Sequence, residues 1–227
     1  ITPKVLGGLA CAGPSVVVVI SIDPVPVVSS AATKSICSGV SVNYVPTAAV
    51  AGTVFNWTSS VTVGTVTGNT AVGGLGTIAD VLVNTTNVIG TVRYVITPVA
   101  NGCSGTPFNV DVTVDPQPTL STVVTPLSQV LCSNTAMVID VNSATVPSAG
   151  SVVYDYVAVA SDVSVTGFTA SAINQSLATN ISNLNVLNSS LIRQTITYTI
   201  TPKVLGGLAC AGPSVVGVIS SDPVQVV

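Results

Sequence analysis

Histidine is absent from this chain, and charge is nearly so: five Lys and Arg and eight Asp and Glu make up 6% of 227 residues. A soluble globular domain carries about 25% charged residues. Without histidine the commonest general base and metal ligand is missing, and neither a Ser-His-Asp nor a Cys-His nucleophile can be assembled. The basic residues are scattered at Lys4, Lys34, Arg93, Arg193 and Lys203, so no basic patch arises in sequence and a nucleic-acid partner is disfavoured. The nearest acidic pairs are Asp111/Asp115 and Asp155/Asp162. Asp111 and Asp115 would share a strand face, where two carboxylates are more often solvated than catalytic. No Asp-rich calcium loop occurs. The glycines of Val72–Thr77, "VGGLGT", lack the Lys and following helix of a phosphate loop and read as a turn. We therefore expect no enzyme, no cofactor and no metal site. A long hydrophobic run is missing too. The longest, "VVVVISI" at Val16–Ile22, lies between Pro14 and Asp23-Pro24, far short of the ~20 residues of a membrane-spanning helix. The opening segment, 1–28, lacks the basic start of a signal peptide.

What the chain has is apolar mass of one kind. Apolar residues reach 48% while aromatics are 4%, and most of the apolar content is Val, Ile and Ala. β-branched side chains fit a pleated surface and lose rotamer freedom in a helix. The expected fold class is all-β. Abundant apolar surface and low net charge argue against disorder.

The chain also repeats itself. Residues 1–28 return at 200–227 with three differences: Val18 against Gly217, Ile22 against Ser221, and Pro26 against Gln225. A third version runs through Val95–Pro118. In all three a cysteine precedes an Asp-Pro at the same spacing: Cys11 and Asp23, Cys103 and Asp115, Cys210 and Asp222. A second element recurs as "SICSGVSVNYVP" from Ser35 and "VLCSNTAMVIDV" from Val130. Ile-Thr-Pro motifs stand at Ile1, Ile96 and Ile200. The unit is therefore about 100 residues long, and the chain reads as a window on a tandem array. The expected divisions are 1–24, closing strands of a truncated preceding repeat, with a strand through Val16–Ile22; then repeats at 25–116 and 117–227.

Period-two alternation marks Val40–Pro46, Thr53–Ser60, Thr91–Pro98 and Phe108–Pro116, and Asn101-Gly102 is a hairpin signal between the last two. The glycines of Thr67–Thr77 read as a loop. About seven short strands in about 100 residues is the pattern of an immunoglobulin-like sandwich. Phe55 and Trp57 correspond to Tyr154 and Tyr156, and Tyr94 to Tyr198. Trp57 is read as a core aromatic rather than a sugar-stacking platform. Asn-x-Ser/Thr sequences at Asn56, Asn84, Asn174, Asn180 and Asn188 read as polar surface.

Five cysteines is an odd number. Two pairings respect the repeat. One, Cys37–Cys103 with Cys132–Cys210, closes a loop within each unit and leaves Cys11 a partner upstream. The other, Cys11–Cys37 with Cys103–Cys132, joins neighbouring units. The first is preferred because each unit then closes on itself, although Cys37 belongs near the first turn and Cys103 near the last hairpin, often at opposite ends of such a sandwich. Either implies an oxidising, extracellular setting.

The segments "ICSGVSVNYVP", "GTVFNW", "VNTTNVIGTVRYVITPVANGCSG" and "VDPQP" together resemble the PKD-like, immunoglobulin-like repeats of the SprB-like giant gliding adhesins of Bacteroidetes. The resemblance spans both units and the leading fragment; the second unit departs from it at "LCSN" and "LACAG". It implies tandem sandwiches forming the shaft of a cell-surface filament, type IX secretion, and attachment to outer-membrane gliding and secretion machinery. The partners it implies are neighbouring repeats, with substratum or polysaccharide held by other parts of the molecule. The alternative is a polysaccharide-binding module along the filament.

Overall fold

A computed structural model describes residues 1–4, 7, 12–125 and 130–223. Every regular element among them is a strand. The first set comprises β1 (Thr33–Cys37), β2 (Val40–Ser41), β3 (Val54–Val63), β4 (Val66–Thr67), β5 (Gly74–Leu75), β6 (Val81–Asn84), β7 (Gly90–Ala100), β8 (Cys103–Ser104) and β9 (Phe108–Asp115). The second comprises β10 (Ser121–Thr125), β11 (Val130–Cys132), β12 (Thr135–Asn142), β13 (Ser151–Ala160), β14 (Val165–Thr166), β15 (Ser171–Ser176), β16 (Ile181–Asn188), β17 (Gln194–Leu205) and β18 (Val215–Asp222).

Each set builds two facing sheets. In the first, β1-β9-β7-β3-β5, with β8 beside β7, faces β2-β6-β4; in the second, β11-β18-β17-β13-β15 faces β10-β12-β16-β14. In both, the opening strand lies parallel to the closing one: β1 on β9 and β11 on β18. The long central strands form because their residues alternate. β7 buries every second side chain along its 11 residues, so Val92, Tyr94 and Ile96 enter the core while Arg93, Val95 and Thr97 face outward. Asn101 and Gly102 both adopt positive φ, 49° and 80°, as a tight hairpin turn requires.

The aromatic equivalences hold in register. Trp57 lies opposite Ile96 and Tyr156 opposite Ile200. Trp57 meets Tyr94 edge-on at 5.6 Å, and Tyr156 meets Tyr198 at 6.0 Å. Each pair anchors the core of its sandwich.

In the leading segment the strand expected through Val16–Ile22 is absent, and its apolar side chains are exposed as an orphaned half-sandwich requires. Ile1 pairs with Val16 through both backbone bonds, as Ile200 pairs with Val215, and Lys4 bridges Ala12 as Lys203 bridges Ala211. Beyond Val16 the pairing stops. In β18 the corresponding residues lie against 194–199 of β17, whereas Val17–Ile22 form no strand and are exposed. A closely similar sequence, differing at Val18/Gly217 and Ile22/Ser221, is a sandwich strand where a partner strand lies beside it and an exposed extended segment where none does, because a strand needs backbone partners.

Candidate functional site: the junction between the sandwiches

Where the two sandwiches meet, a short linker runs from Asp115 to Pro118. It begins at the end of β9, with Cys37 of β1 directly beside Asp115 in the parallel register, and Ser38 donates its N–H to the Asp115 carbonyl at 2.9 Å. It ends against the β17–β18 hairpin of the second sandwich. There Gly212 donates to Pro202 O at 3.0 Å, and a Cβ on Gly212 would run into the Pro118 carbonyl. The hairpin carries a glycine because the linker backbone occupies that space. Gly105 meets Pro26 in the same way in the first sandwich.

Several bonds cross this junction. The Asp115 carboxylate, fully buried, accepts from the Ser148 N–H and hydroxyl, each at 3.0 Å. Val146 N–H donates to Asn87 O at 2.8 Å, and Gln117 Nε2 reaches Ala211 O at 3.4 Å. A disulfide joins Cys37 to Cys210, with their Cα atoms 5.5 Å apart at a sequence separation of 173. Linker and disulfide run side by side from the end of one sandwich to the start of the next.

This corrects both pairings expected from sequence. Cys37 is bonded not to Cys103 but to Cys210, so Cys132–Cys210 does not form either. Cys103 is free and half-buried, and Cys132 is free and exposed. The reason is geometric. Cys37 sits at the Asp115 end of β9 and Cys103 beyond its Phe108 end, so about seven residues of strand, or ~23 Å at 3.3 Å each, separate the two ends of one sheet. A disulfide requires Cα atoms within about 7 Å. The nearest cysteine to Cys37 therefore belongs to the hairpin of the next sandwich. Cys11 lies outside the described residues, and with it the Cys11–Cys37 alternative, although Cys37 is already occupied.

The acidic pairs do not act together. Asp111 takes a two-pronged contact from Arg93 at 2.7 and 2.8 Å, and the Arg93 hydrogen bond holds its carboxyl below the usual range. Asp115 serves the junction. Asp155 binds Lys203 at 2.7 Å, and Asp162 caps Ser164 in its own turn. Among the described residues no group of His, Cys, Asp or Glu is placed to hold a metal ion.

An open groove of about 380 Å³ lies over β3 and β5, lined by Asn56, Trp57, Thr58, Leu75 and Thr97 among others. Trp57 does not offer a stacking face. Its ring is buried against Tyr94 and covered by Gly74, where a Cβ would collide with the indole.

Two of the five Asn-x-Ser/Thr sequences are internal rather than surface features. Asn84 Nδ2 donates to Val88 O at 2.7 Å and Val114 O at 3.0 Å, while its Oδ1 accepts from Thr86 N at 2.9 Å and Oγ1 at 2.8 Å. Asn188 repeats this network with Ile192 O, Ser221 O and Ser190. The Ser or Thr two positions on closes an Asx turn, and the amide ties that turn to the closing strand. The paired recurrence "NTTNVIG" and "NSSLIRQ" was the available signal. Asn56, Asn174 and Asn180 are exposed.

The PKD-like domain family model matches residues 34–118 and again 129–224. This chain belongs to the PKD-like domain family. The two matches fall on the two sandwiches, and PKD-like domains of this immunoglobulin type are generally non-catalytic and fit a structural or adhesive repeat. No curated protein matches the chain.

Proposed function

We propose that these PKD-like sandwiches are a stretch of the shaft of a long extracellular adhesin filament, used by the cell for surface attachment and gliding. The observation that carries this reading is the junction: two neighbouring domains are joined by a disulfide and by a buried Asp115–Ser148 contact, an arrangement that holds an end-to-end stack in line. A disulfide between domains persists only in an oxidising compartment, which agrees with display outside the cell. On this reading residues 1–24 are the closing strands of a preceding repeat, and Val17–Ile22 find their partner strand within it. Substratum or polysaccharide is gripped by other parts of the molecule, which is delivered by type IX secretion and held by outer-membrane gliding machinery.

The second reading, a polysaccharide-binding module, draws on the open groove over β3 and β5, with the polar side chains of Asn56, Thr58 and Thr97 along it. A glycan array and a substratum-adhesion assay on the 227-residue chain separate the two. The shaft reading expects no saturable binding. Sugar-specific, saturable binding that is lost in Thr97→Trp, which fills the groove, would replace it with the second.

A further inference from the structure

We propose that Cys103 and Cys132 are the bonding sites for the repeats on either side, so that disulfides of the Cys37–Cys210 type interlace along the whole array. The inference extends the shaft reading, since it requires adjoining repeats, but it stands on the geometry of two free thiols. Cys132 occupies in the second sandwich the place Cys37 holds in the first. It faces Asp222 in the parallel β11–β18 register as Cys37 faces Asp115. Ser133 donates to Asp222 O at 3.0 Å as Ser38 does to Asp115 O at 2.9 Å, and the Ser133 and Ser38 hydroxyls reach Asn188 O and Asn84 O. Cys103 in turn holds the place of Cys210. It stands two positions before a glycine whose N–H bonds Pro98 O at 2.8 Å, as Gly212 bonds Pro202 O. The linker carbonyl of Pro26 covers Gly105 as Pro118 covers Gly212.

One rule then covers every cysteine described: the first cysteine of a repeat bonds the last cysteine of the repeat after it. Cys132 takes the hairpin cysteine of the following repeat, and Cys103 the opening cysteine of the preceding one. In each case two thiols give up two protons and two electrons as the S–S bond forms. A small-molecule disulfide such as oxidised glutathione accepts them and departs as two thiols.

Such bridges overlap, and this changes the mechanics. A taut covalent path enters at Cys103, follows the backbone only as far as Cys132, and leaves through the next bridge, while the full two-repeat period runs from Ile1 to Ile200. At 3.3–3.6 Å per extended residue that path is about 100 Å long, against about 690 Å for the whole period. Two folded sandwiches, each about as long as a strand of some eleven residues, span about 75 Å. The covalent skeleton is thus little longer than the folded stack, and the array cannot unravel under tension while the bridges hold.

The test joins residues 1–199 to a second copy of the full chain. Because 200–227 repeats 1–28, this recreates a native junction between the first copy's Cys132 and the second copy's Cys103. The tandem chain is refolded in a glutathione redox couple, blocked with an alkylating agent, and mapped by proteolysis without reductant. The expected result is a peptide bridging the first copy's Cys132 to the second copy's Cys103, alongside Cys37–Cys210 in the second copy and a bridge from the first copy's Cys37 to the second copy's Cys11, which stands where Cys210 does. Recovery of those two cysteines as alkylated thiols beside an intact Cys37–Cys210 bridge in the second copy would overturn the interlacing and leave the shaft reading standing. Absence of Cys37–Cys210 as well would remove the junction on which both rest. A Cys132→Ser change in the first copy should free the second copy's Cys103 for alkylation without altering circular dichroism; if Cys103 stays blocked, its partner is another cysteine and the rule is wrong.

Discussion

Replacing Asn84 by alanine removes a side chain that ties the β6–β7 turn to β9, and the cost follows from what each lost partner can find instead. Val88 is half exposed and Thr86 partly so, so the Val88 carbonyl and the Thr86 N–H and hydroxyl can turn to water. Each loss there is worth no more than the net value of a hydrogen bond, about 1 kcal/mol or less. Val114 is fully buried, and stranding the bond that Asn84 makes to its carbonyl costs about 1–3 kcal/mol. The sum is about 3 kcal/mol, near the upper end for a single substitution. Trp57, the sole tryptophan, lies in the core of the same sandwich, so its fluorescence in a urea titration reports this repeat alone. Asn84→Asp sharpens the test. It keeps the shape but turns an acceptor toward two carbonyls and buries a charge, so it should destabilise more than alanine at neutral pH and recover partly as the carboxyl protonates. A loss below about 1 kcal/mol in Asn84→Ala, or an Asp variant as mild as alanine, would refute the assignment of the amide as a structural clamp.

Asp115→Ala should open the junction: the Ser148 amide loses a charge-assisted bond worth about 1.5–3 kcal/mol, and its hydrogen exchange should quicken about tenfold or more, whereas unchanged protection would place the stability of the junction elsewhere. Burial raises the phenols of Tyr94, Tyr154, Tyr156 and Tyr198 above their ordinary value, helped at Tyr94 by Asp80. For acids with raised folded values the stabilisation is whole below pH ~10 and is lost as pH rises above it, so near-ultraviolet absorbance should show these phenols ionising only as circular dichroism collapses; reversible titration of a folded protein would contradict this. The Asp111 carboxyl, held down by Arg93, should titrate below the usual ~3.9, and Arg93→Ala should move it upward. Its contribution is present above that value and is lost as pH falls, and the exposure of both partners keeps it small. An ordinary midpoint in the intact protein would show that the pair does not persist in solution.

Much of this was legible in sequence because it is written in local patterns. The alternation of Thr91–Pro98, the Asn101-Gly102 turn and the matched aromatics of the two repeats are near-neighbour facts, and each reappears in the structure. The disulfide was not legible, because equivalence between repeats constrains which cysteines are alike but not which meet. The distance that decided it, from the Asp115 end of β9 to its Phe108 end, was visible as a tension between Cys37 at the first turn and Cys103 at the last hairpin. Resolving that tension needed the neighbouring domain, whose hairpin brings Cys210 across the linker. Asn84 and Asn188 escape a sequence reading for a related reason: Asn-x-Thr looks the same on a surface as in a buried Asx turn, and only the burial of Val114 and Ser221 distinguishes them. The fate of Val16–Ile22 depended on a partner strand that the segment itself does not encode.

The claim that neighbouring sandwiches are covalently joined end to end is tested most directly by pulling single molecules of the chain from their two termini, oxidised and then reduced. The Cys37–Cys210 bridge, with its sequence separation of 173, keeps everything between those two residues out of the path of the force. At 3.3–3.6 Å per residue, reductant should therefore release about 600 Å of extension that no force below bond rupture yields beforehand. Bridges within each sandwich would instead hide only the stretches 37–103 and 132–210, and reduction would release about 490 Å. That shorter gain, or full extension without reductant, would contradict the account.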